Sequence, residues 1–235
     1  MPCNPSVGGL AKSHLVFEID ALGGETGLNA DMTALQEKTL NTSKGPAVRA
    51  TRAQCDKLRY AARMRATVLS TQNLTVLEDL VTGISVQNGT CRGVETAKNG
   101  RICGKTTVLA TGTALHGRIW IGKECAESGG DGRAAADALA RNIAELGFRM
   151  VRLKTGTPPR ILANSIDFAK TEARYGNKET QCFSMRTEHI DKTKENCSTW
   201  NNPAATAQGS CRKLFHVEQF DALREYASQI GRAHV

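Results

Sequence analysis

The chain has 235 residues and a formal net charge of +8 at neutral pH, with 40% hydrophobic residues, which is an ordinary composition for a soluble globular protein. No apolar run reaches the roughly 20 residues that a membrane-spanning helix needs, and the N-terminal residues show no signal-peptide pattern. The eight cysteines are scattered without metal-ligand spacing, which argues against a disulfide framework and a zinc site. We therefore expect a cytoplasmic protein without a metal or a membrane contact.

The positive charge is concentrated in one stretch. Eight basic residues and one acid, Asp56, lie between Lys38 and Arg65, so this stretch alone carries a net charge of +7. Such a local field favours binding of a polyanion, because each Lys or Arg that meets a phosphate releases counterions. A solvated helix face is the alternative. The spacing of Arg52, Arg59 and Arg63 would place them on one face of a helix, which favours a binding surface.

The N-terminal part of the chain is predicted to be a loop followed by a helix. Asn-Pro and Gly-Gly pairs indicate a turn-rich loop over Cys3–Gly9. An amphipathic helix is expected from about Leu10 to Leu22, and Gly23-Gly24 would end it. Its buried stripe would consist of Leu15, Ile19 and Leu22.

A second helix is predicted within the basic stretch. Ser43–Pro46 indicates a loop, and the pattern that follows predicts a helix from Thr51 to about Ser70, with Thr51 as its N-cap. The side chains on the inner face of this helix would be Leu58, Ala61 and Val68.

The middle of the chain is predicted to consist of short strands. Leu74–Leu77 is a strand candidate, and Asn88-Gly89 predicts a hairpin between Ile84–Val86 and Arg92–Glu95. Val108–Thr111 is a short apolar run that ends at Gly112, which is typical of a buried strand that delivers a glycine to a ligand.

The last hundred residues begin with the clearest helix, over Ala134–Leu146, with Gly147 as its terminator. From about Ala169 to Arg212 the sequence is polar with little periodicity, so we expect loose order, followed by a short helix over Phe215–Ser228. The final residues, Ile230–Val235, can be encoded by a common sequencing-adapter sequence, and we interpret them as read-through.

The segment Cys3–Lys12 is the first that carries chemistry. Its adjacent glycines, Gly8 and Gly9, let backbone N–H groups approach an anionic or planar ligand closely. A cysteine shortly before a helix gains thiolate character from the positive end of the helix dipole, so Cys3 is a candidate active-site thiol. A buried inert cysteine is the alternative.

Two further loops combine glycine, proline and cations. In Ser43–Gln54, a rigid Gly-Pro turn presents Lys44, Arg49 and Arg52, which suits contacts to the phosphates of a cofactor or an RNA. In Arg152–Arg160, a glycine between hydroxyl residues precedes a stiff Pro-Pro pair, and three cations surround it. A charged helix entry and an ordinary basic turn are the alternatives.

Taken together and in this order, these loops resemble the MnmG (GidA) family of FAD-dependent enzymes that modify the wobble uridine of tRNA. The resemblance runs from Cys3 to about Phe168. It is strongest in the segment from Cys3 to Gly24 and in Lys44–Gln54, and Thr111-Gly112-Thr113 and Arg152–Arg160 complete it.

The resemblance implies an α/β flavoprotein fold with two dinucleotide-binding, Rossmann-like domains that holds FAD and takes a hydride from NADH. Residues 1–168 would be part of the FAD-binding domain, and 169–229 would begin an inserted or NAD-binding region. With the GTPase MnmE, the homodimeric enzyme would install a carboxymethylaminomethyl group on tRNA, using methylenetetrahydrofolate as the carbon donor.

The resemblance also implies roles for single residues. Cys3 matches the family's cysteine beside the flavin and is the candidate for covalent or acid/base assistance in catalysis. Val81 matches the position whose backbone contacts the adenine of FAD. The full set of implied cofactor-binding residues is Gly8, Gly9, Lys12, Val81, Thr111, Gly112, Thr113, Thr155 and Gly156. The basic stretch acquires tRNA as its partner through Lys44, Arg49, Arg52, Arg59 and Arg63.

The chain also departs from the family pattern. The family's first strand and glycine-rich phosphate loop would stand before Cys3, and its NADH-binding and C-terminal parts would follow, so the resemblance indicates a fragment truncated at both ends. Asp137 stands where a flavin-contacting serine is expected, and an anion there would repel the cofactor's phosphates. Two alternatives stay open: a relative of the folate- and FAD-dependent tRNA methyltransferases, and a catalytically inactive RNA-binding fragment.

Overall fold

The structure, a computed structural model, describes residues 5–157, 167–177, 182–188, 199–201 and 215–221. These residues fall into two compact units. The first contains 5–76, 167–177, 182–188 and 199–201, and the second contains 77–157 and 215–221. Both units combine helices with β-sheets, which confirms the α/β class.

The first unit is built on a three-stranded antiparallel sheet with helices packed against it. Its elements in chain order are β1 (Ser6–Gly8), α1 (Ser13–Ala21), α2 (Thr26–Thr33), β2 (Ala34–Leu40), β3 (Ala50–Cys55) and α3 (Lys57–Ser70). Strand β3 lies in the centre and pairs with β1 on one side and β2 on the other. Helices α1 and α2 contact β3, and α3 contacts α2.

The second unit contains two antiparallel sheets and one helix. Its elements up to residue 157 are β4 (Val81–Gln87), β5 (Thr90–Thr96), β6 (Gly100–Cys103), β7 (Arg118–Ile121), β8 (Glu124–Glu127), α4 (Asp137–Glu145) and β9 (Val151–Thr157). Farther along the chain, β10 (Glu172–Arg174) and β11 (Thr199–Asn201) form an antiparallel pair of the first unit, and β12 (Phe215–Asp221) belongs to the second unit.

Each unit has its own small core. In the first unit, Ala53 and Cys55 of β3 point toward the helices because alternate residues of a strand face the same side of its sheet. The members of this core are Val7, Val16, Ala30, Ala53, Cys55 and Phe183. The core of the second unit consists of Leu115, Ala136, Leu139, Ala140 and Ile143.

The predicted N-terminal loop and the stripe of the first helix are wrong in part. Ser6–Gly8 forms strand β1, and the helix is shorter than predicted, from Ser13 to Ala21. The leucine and isoleucine side chains of the predicted stripe are exposed, by 56% for Leu15, 43% for Ile19 and 90% for Leu22. The buried face carries Asp20 instead, whose carboxylate accepts a hydrogen bond from the Met185 amide, so burial of a charged group is compensated.

The second predicted helix starts six residues too early. Thr51 lies within β3, and the helix begins at Lys57 after Asp56, whose carboxylate accepts hydrogen bonds from the amides of Leu58 and Arg59. Pairing of β3 with two neighbouring strands overrides the helical pattern of its residues. No side chain of α3 is buried, so the inner face predicted for Leu58, Ala61 and Val68 is wrong. Arg52 lies on the strand, and the predicted helix face shared by Arg52, Arg59 and Arg63 is therefore also wrong.

The hairpin and the later helix are confirmed. Strands β4 and β5 join through Asn88 and Gly89, which both have positive φ, as a two-residue turn of this type requires. Helix α4 runs over Asp137–Glu145 within the predicted range, and Gly147 follows its end with φ +92°.

Three other predicted elements of the second half are wrong. Leu74–Leu77 and Val108–Thr111 form no strand, and the Val108 side chain is 89% exposed. Phe215–Asp221 is strand β12 instead of a helix, because β7 and β9 pair with its two edges. None of the helices in the described ranges has both the length and the apolar character needed to cross a bilayer.

Replacing Asp56 with alanine tests the start of α3. Loss of the two capping hydrogen bonds should lower the free energy of unfolding by about 1 kcal/mol, measured by chemical denaturation. Asp56→Asn is the matched control, because asparagine caps a helix as well as aspartate does. Equal stability of the alanine and asparagine variants would contradict this account of the helix start.

Candidate functional site

The Gly8–Gly9 turn joins β1 to α1 and shapes the first candidate site. Gly8 has φ +77° and Gly9 has φ +95°, a conformation that other residues adopt at a cost. The Gly9 amide donates to the carbonyl oxygen of Thr51 at 2.8 Å, and the Gly9 carbonyl accepts from the amides of Lys12 and Ser13 at 3.1 and 3.0 Å. The turn is therefore fixed both to the sheet and to the first turn of α1.

Arg52 is the cation next to this turn. It lies opposite Gly8 in the register of β1 and β3, and opposite Lys38 in the register of β2 and β3. Its Cδ atom is 4.0 Å from the place where a Cβ of Gly9 would lie. The structure thus brings together three predicted site residues, Gly8, Gly9 and Arg52, in an arrangement suited to an anionic ligand.

A short segment from the polar region packs against the other side of the turn. We call Cys182–Glu188 the clasp segment. The carboxylate of Asp31 accepts from the amides of Phe183 and Ser184 at 2.9 and 2.8 Å and from the hydroxyl of Thr187 at 2.7 Å. The Phe183 side chain is 1% exposed and reaches the core of the first unit.

Asp20 and Arg186 make a second attachment of the clasp segment. Arg186 donates to Asp20 at 3.2 Å, to Glu25 at 2.8 Å and to the carbonyl of Gly24 at 2.6 Å. Burial raises the pKa of Asp20, but hydrogen bonds from Ser184, Met185 and Arg186 outweigh it, so the pKa of this carboxyl is below its ordinary value. The ionised form is thus the form that holds the clasp segment.

The predicted tRNA-binding cations have different surroundings. Lys44 and Arg49 are exposed on the connection between β2 and β3, and Arg59 is exposed on α3. Arg63 faces α2 instead, where its guanidinium lies 3.4 Å from the Glu25 carboxylate and 3.3 Å from the Asn29 side-chain oxygen. Arg63 therefore contributes to the packing of two helices, and the exposed cations are the better candidates for contact with a polyanion.

A second group of predicted residues lies in the second unit. Gly112 is exposed with φ +56°, and the space around its missing Cβ is open. The hydroxyl of the buried Thr113 donates to the carbonyl of Gly129 at 2.7 Å, which ties the Thr111–Thr113 loop to the following glycine-rich turn. Val81 begins β4 and packs against the core of this unit.

Asp137 at the start of α4 is paired with a histidine. Its carboxylate lies 2.6 Å from Nδ1 of His116, and Arg152 of β9 donates to the His116 carbonyl at 3.4 Å. The negative charge of Asp137 is thus engaged within the protein.

The roles of several predicted site residues remain predictions. Cys3 lies outside the described residues, so its catalytic role stays a prediction. Thr155 and Gly156 lie on β9 opposite Val217 and His216 of β12. Cys55, in the first core, has its pKa raised to about 11 by burial, which makes this thiol a poor nucleophile at neutral pH.

Sequence reasoning missed the polar residues that organise the first unit. Asp20 and Asp31 carried no signal in the sequence, because each takes its role from partners about 150 or more residues away in the chain. The His116–Asp137 pair was missed for a similar reason, since its residues are 21 positions apart and follow no motif. A phenylalanine within a polar stretch was the one available hint of the clasp segment.

Comparison with known proteins gives consistent matches. A family model described as glucose inhibited division protein A matches residues 1–224. The chain is 46% identical over 200 residues to a Lactobacillus helveticus protein named tRNA uridine 5-carboxymethylaminomethyl modification enzyme MnmG, covering 85% of this chain and 30% of that protein. A Bacillus velezensis protein of the same name is 49% identical over 187 residues, covering 80% of this chain and 30% of that protein.

A solved structure is similar as well. The structure of Aquifex aeolicus GidA in the form I crystal matches with a TM-score of 0.74 and 40% sequence identity, covering 80% of this chain and 31% of that chain. The chain therefore spans about 30% of the length of the relatives that it matches.

Replacing Gly8 with alanine tests the shape of the turn. A Cβ at this position would clash with the Thr51 carbonyl and approach the ring tip of Phe183 to 2.6 Å, and the positive φ adds strain. We expect the free energy of unfolding to fall by about 1–3 kcal/mol, measured by denaturation.

Gly45→Ala is the matched control for the Gly8 variant. Gly45 has φ −62° and open space around its missing Cβ, so its replacement should change stability by less than about 0.5 kcal/mol. Similar losses in both variants would show that the Gly8–Gly9 turn is not specially constrained.

Proposed function

The chain belongs to the glucose inhibited division protein A family, and on this basis we propose that it forms part of an enzyme that builds the carboxymethylaminomethyl group at position 5 of the wobble uridine of tRNA. Relatives named for this activity are 46–49% identical to the chain over 187–200 residues. This identity is the observation that carries the proposal. The full activity belongs to a protein of the relatives' length, of which this chain supplies about 30%.

FAD is the cofactor that we propose, and the residues present fit a dinucleotide. The backbone of the Gly8–Gly9 turn lies close to the Arg52 side chain, and this combination of backbone and cation suits a phosphate. The open, exposed Gly112 lets a planar ligand approach the Thr111–Thr113 loop. Val81 would meet the adenine, and the remaining proposed contacts are Lys12, Thr155 and Gly156. Bound FAD supplies two-electron chemistry, and these residues bind and orient it.

The remaining substrates and partners are proposed from the same family membership. NADH would supply the electrons, and methylenetetrahydrofolate the carbon. The GTPase MnmE would act as the protein partner, through a C-terminal part of the relatives that this chain does not span. The full-length enzyme would be a homodimer. We propose the cytoplasm as the location, since the substrate is tRNA.

The surface proposed to contact tRNA consists of cations of the first unit, of which Lys44, Arg49 and Arg59 are exposed and Arg52 is half-buried. Lys44 and Arg49 lie on the connection between β2 and β3, Arg52 lies beside the glycine turn, and Arg59 lies on α3. Arg52 could bind either a cofactor phosphate or an RNA phosphate. We therefore propose Lys44, Arg49 and Arg59 as the main tRNA contacts.

One alternative is supported by a specific observation. Helix α3 has no buried side chain and no acid, so it offers an exposed basic face to RNA whether or not a flavin is bound. A catalytically inactive RNA-binding fragment would therefore keep tRNA binding and lose flavin binding. The names of the matched relatives do not favour the methyltransferase alternative.

Replacing Cys3 with alanine in an enzyme of full family length that carries this sequence tests the catalytic proposal. We expect the variant to retain flavin, seen by absorbance, and to lose the wobble modification, measured by mass spectrometry of digested tRNA. The reason is that a nucleophile or acid/base group acts on the reacting atoms and is not needed to hold the cofactor. Unchanged levels of the modified uridine would refute a catalytic role for Cys3.

Reversing the charge of Arg49 and Arg59 tests the RNA surface. Arg49→Glu/Arg59→Glu should weaken tRNA binding and reduce the slope of log affinity against log salt by roughly 1 for each phosphate that is no longer neutralised. The control is Arg141→Glu/Arg149→Glu, which makes the same charge change at exposed residues of the second unit. An equal effect of both pairs would show a response to net charge alone and remove the assigned surface.

A further inference from the structure

We propose that Phe183 is a positioning residue whose ring sets the shape of the Gly8–Gly9 turn and thereby the way in which the turn meets its ligand. The link to the ligand rests on the proposed function, in which this turn contacts FAD. The positioning itself rests only on contacts within the first unit.

The ring of Phe183 lies directly against the main chain at Gly8. Its tip atom, Cζ, is 2.6 Å from the place where a Cβ of Gly8 would lie, and Cε1 is 3.0 Å from it. These distances leave no room for a side chain, so Gly8 is required by the ring as well as by its positive φ. The Phe183 ring therefore occupies the space that a Cβ atom of residue 8 would need.

The ring is held from several sides and cannot move away from the turn. The Phe183 amide donates to Asp31 at 2.9 Å, which fixes the backbone. Its Cβ is 3.2 Å from the place of a Cβ on Gly27, and its ring centroid is 5.4 Å from that of Phe17. Two glycines on different elements thus make space for one phenylalanine, and a buried carboxylate holds it there.

The position of the turn determines more than local packing. Gly9 is hydrogen-bonded to Thr51 of β3 and to the first residues of α1, and the Arg52 side chain passes beside it. A shift at Gly8 would therefore change the distance between the Gly9 backbone and the Arg52 cation. Those two groups are the ones that suit a phosphate, so the ring acts on the ligand through the turn.

The contact predicts a specific response to the shape of the side chain. Phe183→Leu keeps an apolar side chain but withdraws its tip from Gly8, so the turn should become looser. Phe183→Tyr adds an oxygen at Cζ, the ring atom nearest to the place of a Cβ on Gly8, so the turn should be pushed aside.

The first measurement follows the amide of Gly9 by hydrogen exchange in the 235-residue chain, without added ligand. This amide bonds to Thr51 at 2.8 Å and reports the turn directly. We expect Phe183→Leu and Phe183→Tyr to speed its exchange by about tenfold or more while the β2–β3 amides stay protected. Met185→Ala is the control on the same segment, because its side chain is 95% exposed, and it should have no effect.

Unchanged Gly9 exchange in both Phe183 variants, with a protected β2–β3 ladder, overturns the proposal. If the ladder is lost as well, the variants are unfolded and Asp31→Asn takes their place, since it weakens the anchor of Phe183 and leaves the ring intact. Faster Gly9 exchange in Asp31→Asn supports the proposal, and unchanged exchange overturns it.

The second measurement adds FAD and records its affinity and the absorbance band of the bound flavin. If the original chain takes up FAD, Phe183→Leu should weaken uptake by about tenfold and shift the band, as a misplaced turn would do. Identical affinity and spectrum overturn the link between ring and ligand. If the original chain takes up no FAD while the Gly9 amide still responds, the proposal that this chain by itself binds the cofactor fails and the positioning role of Phe183 stands.

Discussion

The first unit depends on two carboxylates, Asp20 and Asp31, that accept hydrogen bonds from backbone amides 152 to 165 residues farther along the chain. Carboxylates lose hydration when they are buried, and several short hydrogen bonds are needed to compensate that loss. Asp31 receives three such bonds, and Asp20 receives one each from the Met185 amide, the Ser184 side chain and the Arg186 guanidinium. The clasp segment is thus held by charge-assisted bonds, which are stronger and more directional than apolar contact. Apolar packing then adds Phe183, whose position those bonds have already determined.

This arrangement links the core to the candidate site. The first core contains few large side chains, since alanine, valine and cysteine make up most of it. A phenylalanine inserted from a distant segment supplies volume that the local elements lack. The same ring touches the glycine turn that we propose as a cofactor contact. One side chain of the clasp segment therefore contributes both to the first core and to the shape of the candidate site.

The sequence was sufficient where the signal was local. Asn88-Gly89 determines its own turn, and Gly147 ends α4, because positive φ is a property of these residues themselves. Predictions were wrong where a sequence pattern was compatible with two different structures. Leu15, Ile19 and Leu22 have helical spacing, yet the face that is buried in α1 carries Asp20, whose partners lie on the clasp segment. Thr51 is a good N-cap residue by type, but pairing on both sides makes it part of a strand.

Charged residues in and around α3 have two different roles: some attach the helix to its neighbours, and others leave its exposed face positively charged. Asp56 satisfies amides at the start of α3, and Arg63 holds the helix to α2 through Glu25 and Asn29. Tyr60 adds an apolar contact, because its partly buried ring packs against the first core. The helix contains no acid that could offset its other cations, and like charges at helical spacing destabilise the folded state. The positive end of its dipole adds to the same field near Arg59. A partner rich in phosphate would relieve this repulsion on binding.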